Sequence, residues 1–189
     1  MGGQPVADRE LLLDAAERAL RRDGSAVSLE AIAVEAGVTK PVIYSRIGDR
    51  SAVAAALAQR LADRLVIAGT AALDGRGLER DALAALIEAT LRAIAADREL
   101  FVYVTSGGAS DTLQGTLQLA GRSAGPLAQL LRTWLEGQGR DPNVAKPWSY
   151  GVIGMLNMVS LWWIHEPDRD ADVLAGELAD LLWPGLAGR

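Results

Sequence analysis

Cysteine is absent from this 189-residue chain, which excludes a disulfide framework and a thiolate metal site and agrees with a reducing compartment. Histidine occurs once, at His165, where a helix C-terminus explains it through favourable dipole contact; a histidine-built metal site would want at least two more. There is no Gly-x-Ser-x-Gly elbow and no phosphate-binding loop. Catalysis needs convergent His, Cys, Ser or carboxylate groups, so an enzyme is only a remote alternative, and no catalytic residue, metal or cofactor is assigned. The longest apolar stretch, Val152 to Ile164, is broken by Gly154, Asn157 and Ser160, short of the roughly 20 apolar residues of a membrane span. Met1-Gly2-Gly3-Gln4-Pro5 lacks the basic and apolar segments of a secretory signal. The expectation is a soluble, cytoplasmic protein with no membrane partner. Period-2 alternation and β-branched clusters are also scarce, so strands are not expected.

What remains is a chain that is 50% hydrophobic, dominated by Ala and Leu, and reads as all-α. Its net charge of −5 at first argues against a nucleic-acid partner, but the charge is uneven. Residues 1–65 hold nine Lys/Arg and nine Asp/Glu, whereas residues 66–189 hold ten against fifteen. Within Gly37 to Arg50 the basic residues Lys40, Arg46 and Arg50 face only Asp49. Phosphate contacts are local, so an acidic chain can still bind DNA at one end.

Punctuation by Gly, Pro and capping residues divides the chain into about nine helices. The first runs from about Asp8 to Arg22, with Gly24 at its stop. Ser28 caps Leu29–Ala36, Gly37 turns the chain, Thr39 caps Lys40–Ile47, and Gly48-Asp49 opens a longer helix carrying Val53, Leu57, Leu61 and Leu65. A Gly-rich joint at 73–77 precedes an amphipathic helix bearing Leu83, Leu86, Ile87, Leu91 and Ile94. A short apolar segment, Leu100 to Thr105, runs up to Gly107-Gly108. A further helix starts near Pro126 and carries Leu127, Leu130, Leu131, Trp134 and Leu135. The last two helices, about Val144–His165 and Asp168–Trp183, flank Glu166-Pro167. Two domains are expected, 1–65 and 66–189.

Two short helices joined at Gly37 let the second project from a three-helix core into a major groove. Val38, Ile43 and Ile47 supply its inward anchors, leaving Lys40, Pro41, Tyr44, Ser45 and Arg46 outward and Val42 at the edge. Spacing alone serves equally well a plain helical hairpin with solvated basic residues. Gly37-Val38-Thr39-Lys40-Pro41-Val42-Ile43-Tyr44, followed by Ile47, Asp49 and Arg50, resembles the signature of TetR-type transcriptional repressors. The run Leu12-Leu13-Asp14-Ala15-Ala16 ending at Gly24 fits the same pattern, over roughly Arg9 to Leu65. The family often places an aromatic at Ile47 and a Lys at Arg50.

That resemblance implies an N-terminal three-helix DNA-binding domain and a larger helical domain for effector binding and dimerisation. It makes Ser28, Thr39, Tyr44 and Arg50 candidate phosphate contacts, and Lys40, Pro41, Val42, Ser45 and Arg46 candidate base readers. Tyr44 is alternatively a core aromatic with its hydroxyl at the surface. It implies a homodimer on a two-fold operator of double-stranded DNA. The last two helices are its interface candidates: Trp148, Gly151, Met155, Val159 and Trp162, then Leu174, Leu178, Leu181 and Leu182, with Gly154 allowing close approach. The middle helices would enclose a small-molecule effector, with Phe101, Tyr103, Trp134 and Met158 as lining candidates, though each serves equally as plain core. The alternative is a regulator of the same fold without a small effector, controlled by a protein partner or by abundance.

Overall fold

Nine α-helices and one 3-10 turn form among the described residues of the computed structural model, which are 8–73, 75, 77–106 and 112–188; none of these residues is in a strand. The helices are α1 Arg9–Asp23, α2 Leu29–Glu35, α3 Lys40–Arg46, α4 Arg50–Leu73, α5 Arg80–Ala96, α6 Arg98–Ser106, α7 Thr112–Gly137, α8 Ala145–His165 and α9 Ala171–Ala187. Asp74 and Arg76 of the expected joint, Gly107-Gly108 and Met1–Pro5 lie outside the described residues.

Capping chemistry explains most of the N-terminal boundaries. Asp8 accepts the amide of Glu10, Ser28 that of Ala31 at 3.1 Å, and Asp49 that of Ala52 at 2.9 Å, each satisfying a first-turn donor. Proline was a poorer guide. The helix expected to start near Pro126 begins at Thr112, and the last helix runs past Pro184 to Ala187. An interior proline costs one amide–carbonyl bond and some strain, which a helix with a long apolar stripe on both sides can offset. The segment expected only as an apolar run at 100–105 is the helix α6.

Two compact units divide the chain, one within Met1–Leu61 and Asp97–Leu119, the other within Ala62–Ala96 and Ala120–Arg189. α4 and α7 each supply residues to both. The first unit therefore takes in α6, which the expected division at residue 65 left with the other domain.

The first unit is built on α1, which buries Leu12, Leu13, Ala16 and Leu20. Ile32 of α2, Ile43 of α3, Val53 and Leu57 of α4 and Phe101 of α6 are buried with no exposed area. Arg60 of α4 ties α1 in place: it donates to Asp14 at 2.6 Å and Glu17 at 3.3 Å, and to the Glu10 backbone carbonyl at 3.0 Å. α6 is held to the end of α1 by Arg21 to Asp97 at 2.7 Å and by the Ser25 amide to Glu99 at 3.0 Å.

In the second unit α5 packs along α9. α5 buries Leu83, Ile87, Leu91 and Ile94, and α9 buries Leu174, Ala175, Leu178 and Ala179. Arg80 closes one end of the pair on Asp180 at 2.7 Å. The turn before α9 is pinned by Trp163, whose indole N–H donates to the Arg169 carbonyl at 2.8 Å.

Candidate nucleic-acid interface

The tight turn between α2 and α3 starts at Gly37, whose φ of 67° is strained for any residue with a Cβ. That conformation lets the Val38 amide return to the Ala33 carbonyl at 3.0 Å, which closes α2 and sends the chain off in a new direction. Thr39 takes the extended backbone of an N-cap, but its hydroxyl makes no capping bond. Pro41 sits in the first turn of α3, where a missing amide costs nothing. At the far end Gly48, with φ of 123°, is required twice over, because a Cβ there would lie 2.7 Å from the Ala52 Cβ.

One residue anchors the recognition helix. Ile43 is completely buried, while Val38 and Ile47 are half-buried beside it. Pro41, Tyr44, Ser45 and Arg46 are exposed, Thr39 and Ser28 also, and Lys40 and Val42 are half-buried. All nine residues read as DNA-contacting are thus exposed or, like Lys40, Val42 and Arg50, half-buried, and Tyr44 is 49% exposed rather than a core aromatic. Among the described residues no carboxylate pairs with Arg46. Lys40 is different. Its ammonium is paired with Glu30, at the start of α2, and lies 5.9 Å from the centre of the Tyr44 ring. The Glu30 carboxyl is held below its ordinary pKa by this bond, and the Lys40 ammonium is held above its own by the same bond.

Arg50 is the ninth residue, and the structure turns it inward. Its guanidinium donates to the Val27 carbonyl at 2.7 Å and lies 5.3 Å from the centre of the Tyr103 ring of α6. A buried carbonyl and a buried aromatic face outcompete solvent for a planar, weakly hydrated cation. One guanidinium nitrogen of the residue expected to contact phosphate is thus engaged within the module. Tyr103 itself is 1% exposed, its hydroxyl has no hydrogen-bond partner, and burial raises its pKa against the opposing pull of Arg50. Neither Glu30 nor Tyr103 was read as part of this site, because their partners are ten and fifty-three residues away in sequence.

A partly enclosed cavity of about 110 Å³ lies within the second unit, between α4, α5, α7 and α8. Among the described residues its wall is hydrocarbon broken by Thr70, Thr90, Ser123 and Asn157, with none charged. None of the four aromatic and methionine side chains expected at an effector site lines it. Phe101 and Tyr103 are core residues of the other unit, the Trp134 ring lies 5.9 Å from that of Trp183 and tilted 49° to it, and Met158 is 66% exposed. Large side chains fill space, whereas this void exists where small ones leave it, as at Gly69 and Ser123. The one legible signal was Asn157, which interrupts the apolar run of α8.

The expected interface residues also separate. Leu174 and Leu178 are buried within the chain, on the stripe that α9 packs inward, and so belong to its core. Leu181, Trp162 and Gly151 are exposed, and Trp148, Met155, Val159 and Leu182 are half-buried.

Comparison with known proteins matches residues 12–57 to the model of bacterial regulatory proteins of the tetR family, and residues 68–189 to a tetracyclin repressor-like C-terminal domain. The HTH-type transcriptional regulator AlkX of Mycobacterium tuberculosis (strain ATCC 25618 / H37Rv) is 32% identical over 190 residues, covering 94% of this chain and 86% of that protein. Among solved structures, the fatty acid degradation regulator FadR from Bacillus halodurans superimposes with a TM-score of 0.71 at 20% identity, covering 96% of each chain. FadR from Bacillus subtilis, in complex with stearoyl-CoA, superimposes with a TM-score of 0.67 at 18% identity, covering 92% of this chain and 96% of that one.

Proposed function

The chain belongs to the tetR family of bacterial regulatory proteins and is a DNA-binding transcriptional regulator, not an enzyme, and we propose that it is a dimeric repressor released from a two-fold operator by a small apolar or amphipathic effector. The observation that carries the reading is the face of α3: a short helix anchored on the fully buried Ile43, presenting Pro41, Tyr44, Ser45 and Arg46 outward with Lys40 and Val42 at its edge. Lys40 and Arg46 supply donors suited to guanine edges, Val42 meets a thymine methyl, and the Ser28 and Thr39 positions meet phosphate.

Dimerisation is supported by what α8 and α9 leave uncovered. Met158, Trp162, Val173 and Leu181 are large, apolar and exposed. A Cβ placed at Gly151 or Gly154 would meet no atom of the chain within 4 Å, so nothing inside the chain requires glycine there. A second copy approaching closely along α8 would. Two recognition helices then engage half-sites about 34–36 Å apart. Effector control is supported by the uncharged cavity between α4, α5, α7 and α8, and by the stearoyl-CoA held by a protein of the same fold. α4 supplies residues to both units, so a ligand favouring one tilt of α4 changes the half-site spacing the dimer can reach.

The test starts from the operator, recovered by pull-down of genomic fragments with the full chain. Lys40→Ala with Arg46→Ala should abolish preference for that operator while the fold is retained. Unchanged affinity in the folded double variant refutes the assignment of α3. Linkage supplies the second arm: an effector that releases DNA must bind more weakly to the operator complex by the same factor. Equal effector affinity with and without operator removes the release mechanism and leaves the DNA-binding assignment standing.

A further inference from the structure

We propose that the cavity of the second unit takes the end of a neutral, mainly hydrocarbon ligand whose hydrogen-bond-accepting oxygen meets the side-chain amide of Asn157. This rests on the reading of the chain as an effector-controlled regulator. Asn157 is 6% exposed, lines the cavity, and its Nδ2 has no hydrogen-bond partner. A buried amide donor left unpaired is costly, and buried donors are rarely left so. The threonines of the wall are already satisfied within their own helices: Thr90 donates to the Leu86 carbonyl at 2.8 Å and Thr70 to the Val66 carbonyl at 2.7 Å. Among the described residues of the wall, the Asn157 amide is the fully buried donor left without a partner.

The surroundings narrow the partner. Among the described residues no Lys, Arg, His, Asp or Glu lines the cavity, so a carboxylate, phosphate or ammonium would be buried against them without a counter-charge. What fits is an uncharged oxygen acceptor on a carbon chain, such as a ketone, aldehyde, ester or lactone. Since a dry void of about 150 Å³ takes a benzene ring, one of about 110 Å³ takes a head of about five heavy atoms, with the remainder leaving through the open side.

The experiment uses the full chain without DNA and four probes of one length: 2-heptanone, n-heptane, heptanoate and heptylamine. The ketone should bind at least tenfold tighter than either ion. Asn157→Leu should lower the ratio of 2-heptanone to n-heptane affinity about tenfold, or ~1.4 kcal/mol. Thr90→Val, which removes a hydroxyl already paired, should leave that ratio as it is. Should Asn157→Leu fail to fold, the side-chain ¹⁵NH₂ resonance of Asn157 in the natural chain decides: it should shift on saturation with 2-heptanone and not with n-heptane. An ion binding as tightly as the ketone, an unchanged ratio in a folded Asn157→Leu, or an unmoved resonance would overturn the proposal. Operator release is measured separately. A chain that shows the ketone preference yet stays on DNA retains this site and refutes effector control.

Discussion

Arg46→Ala and Arg50→Ala separate two roles that look alike in the sequence. Both residues are arginines at the edge of the recognition module, but Arg46 is exposed and Arg50 donates to the Val27 carbonyl at 2.7 Å beneath Tyr103. Removing Arg50 leaves that carbonyl, on a residue only 3% exposed, without its donor, a cost of about 1–3 kcal/mol. The lost contact with the Tyr103 ring adds roughly 0.5–1 kcal/mol. For a chain of this size each kcal/mol lowers the melting temperature by about 2–4 °C, so Arg50→Ala should melt roughly 3–16 °C lower. Its DNA affinity should keep the same salt dependence, because no phosphate contact is lost. Arg46→Ala should do the reverse, melting as the natural chain does while the slope of log affinity against log salt flattens by about one. Thermal melts by circular dichroism and fluorescence anisotropy on one operator duplex at several salt concentrations measure all four quantities. An Arg50→Ala chain of unchanged stability with a flattened salt slope would show that the inward contacts are incidental and that Arg50 grips phosphate.

Four other expectations follow from burial and pairing. Ile43→Ala, at a position with no exposed area, should cost about 2–5 kcal/mol in urea unfolding; a loss under 1 kcal/mol would mean that α3 has other anchors. Leu181→Asp should give a folded monomer by light scattering, whereas Leu178→Asp, which buries a carboxylate beside α5, should unfold the chain; a folded dimer in the Leu181 variant would move the interface elsewhere. Tyr103→Phe should be neutral or stabilising at pH 7, since the hydroxyl pairs with nothing. Because burial raises the Tyr103 pKa, its contribution is intact below the ordinary tyrosine pKa of about 10 and is lost as pH climbs through the higher folded value. The Phe variant should therefore be less sensitive to alkali in pH-dependent melts, and equal sensitivity would refute this. Glu30→Gln should tighten operator binding by freeing Lys40, and weaker binding would instead make Glu30 the residue that positions it.

Local chemistry was readable and distant partners were not. Gly37, Gly48, Ser28 and Asp49 each act within four residues of themselves, so their roles as turn and cap could be read from order alone. The outward set on α3 followed from helical spacing around Ile43. The inward contacts of Arg50 were not legible, because the Val27 carbonyl and the Tyr103 ring are brought to it by folding. The α9 leucines failed in a related way: Leu174, Leu178, Leu181 and Leu182 are all apolar, and only the presence of α5 makes the first two core and leaves Leu181 bare. The effector residues were sought among large aromatics, which pack, while the void is walled by aliphatic side chains of four separate helices, with Gly69, Thr70, Thr90 and Ser123 between them.

The attachment of α3 through one fully buried side chain bears on how such a regulator changes over generations. With Ile43 holding the helix from below and Arg60 clasping α1 elsewhere, the exposed residues Pro41, Tyr44, Ser45 and Arg46 carry little of the module's folding energy. They are exchangeable typeface on a fixed press. A library randomised at those four positions should yield chains that read different operators while melting close to the parent, so new target genes become accessible without first accumulating stabilising changes.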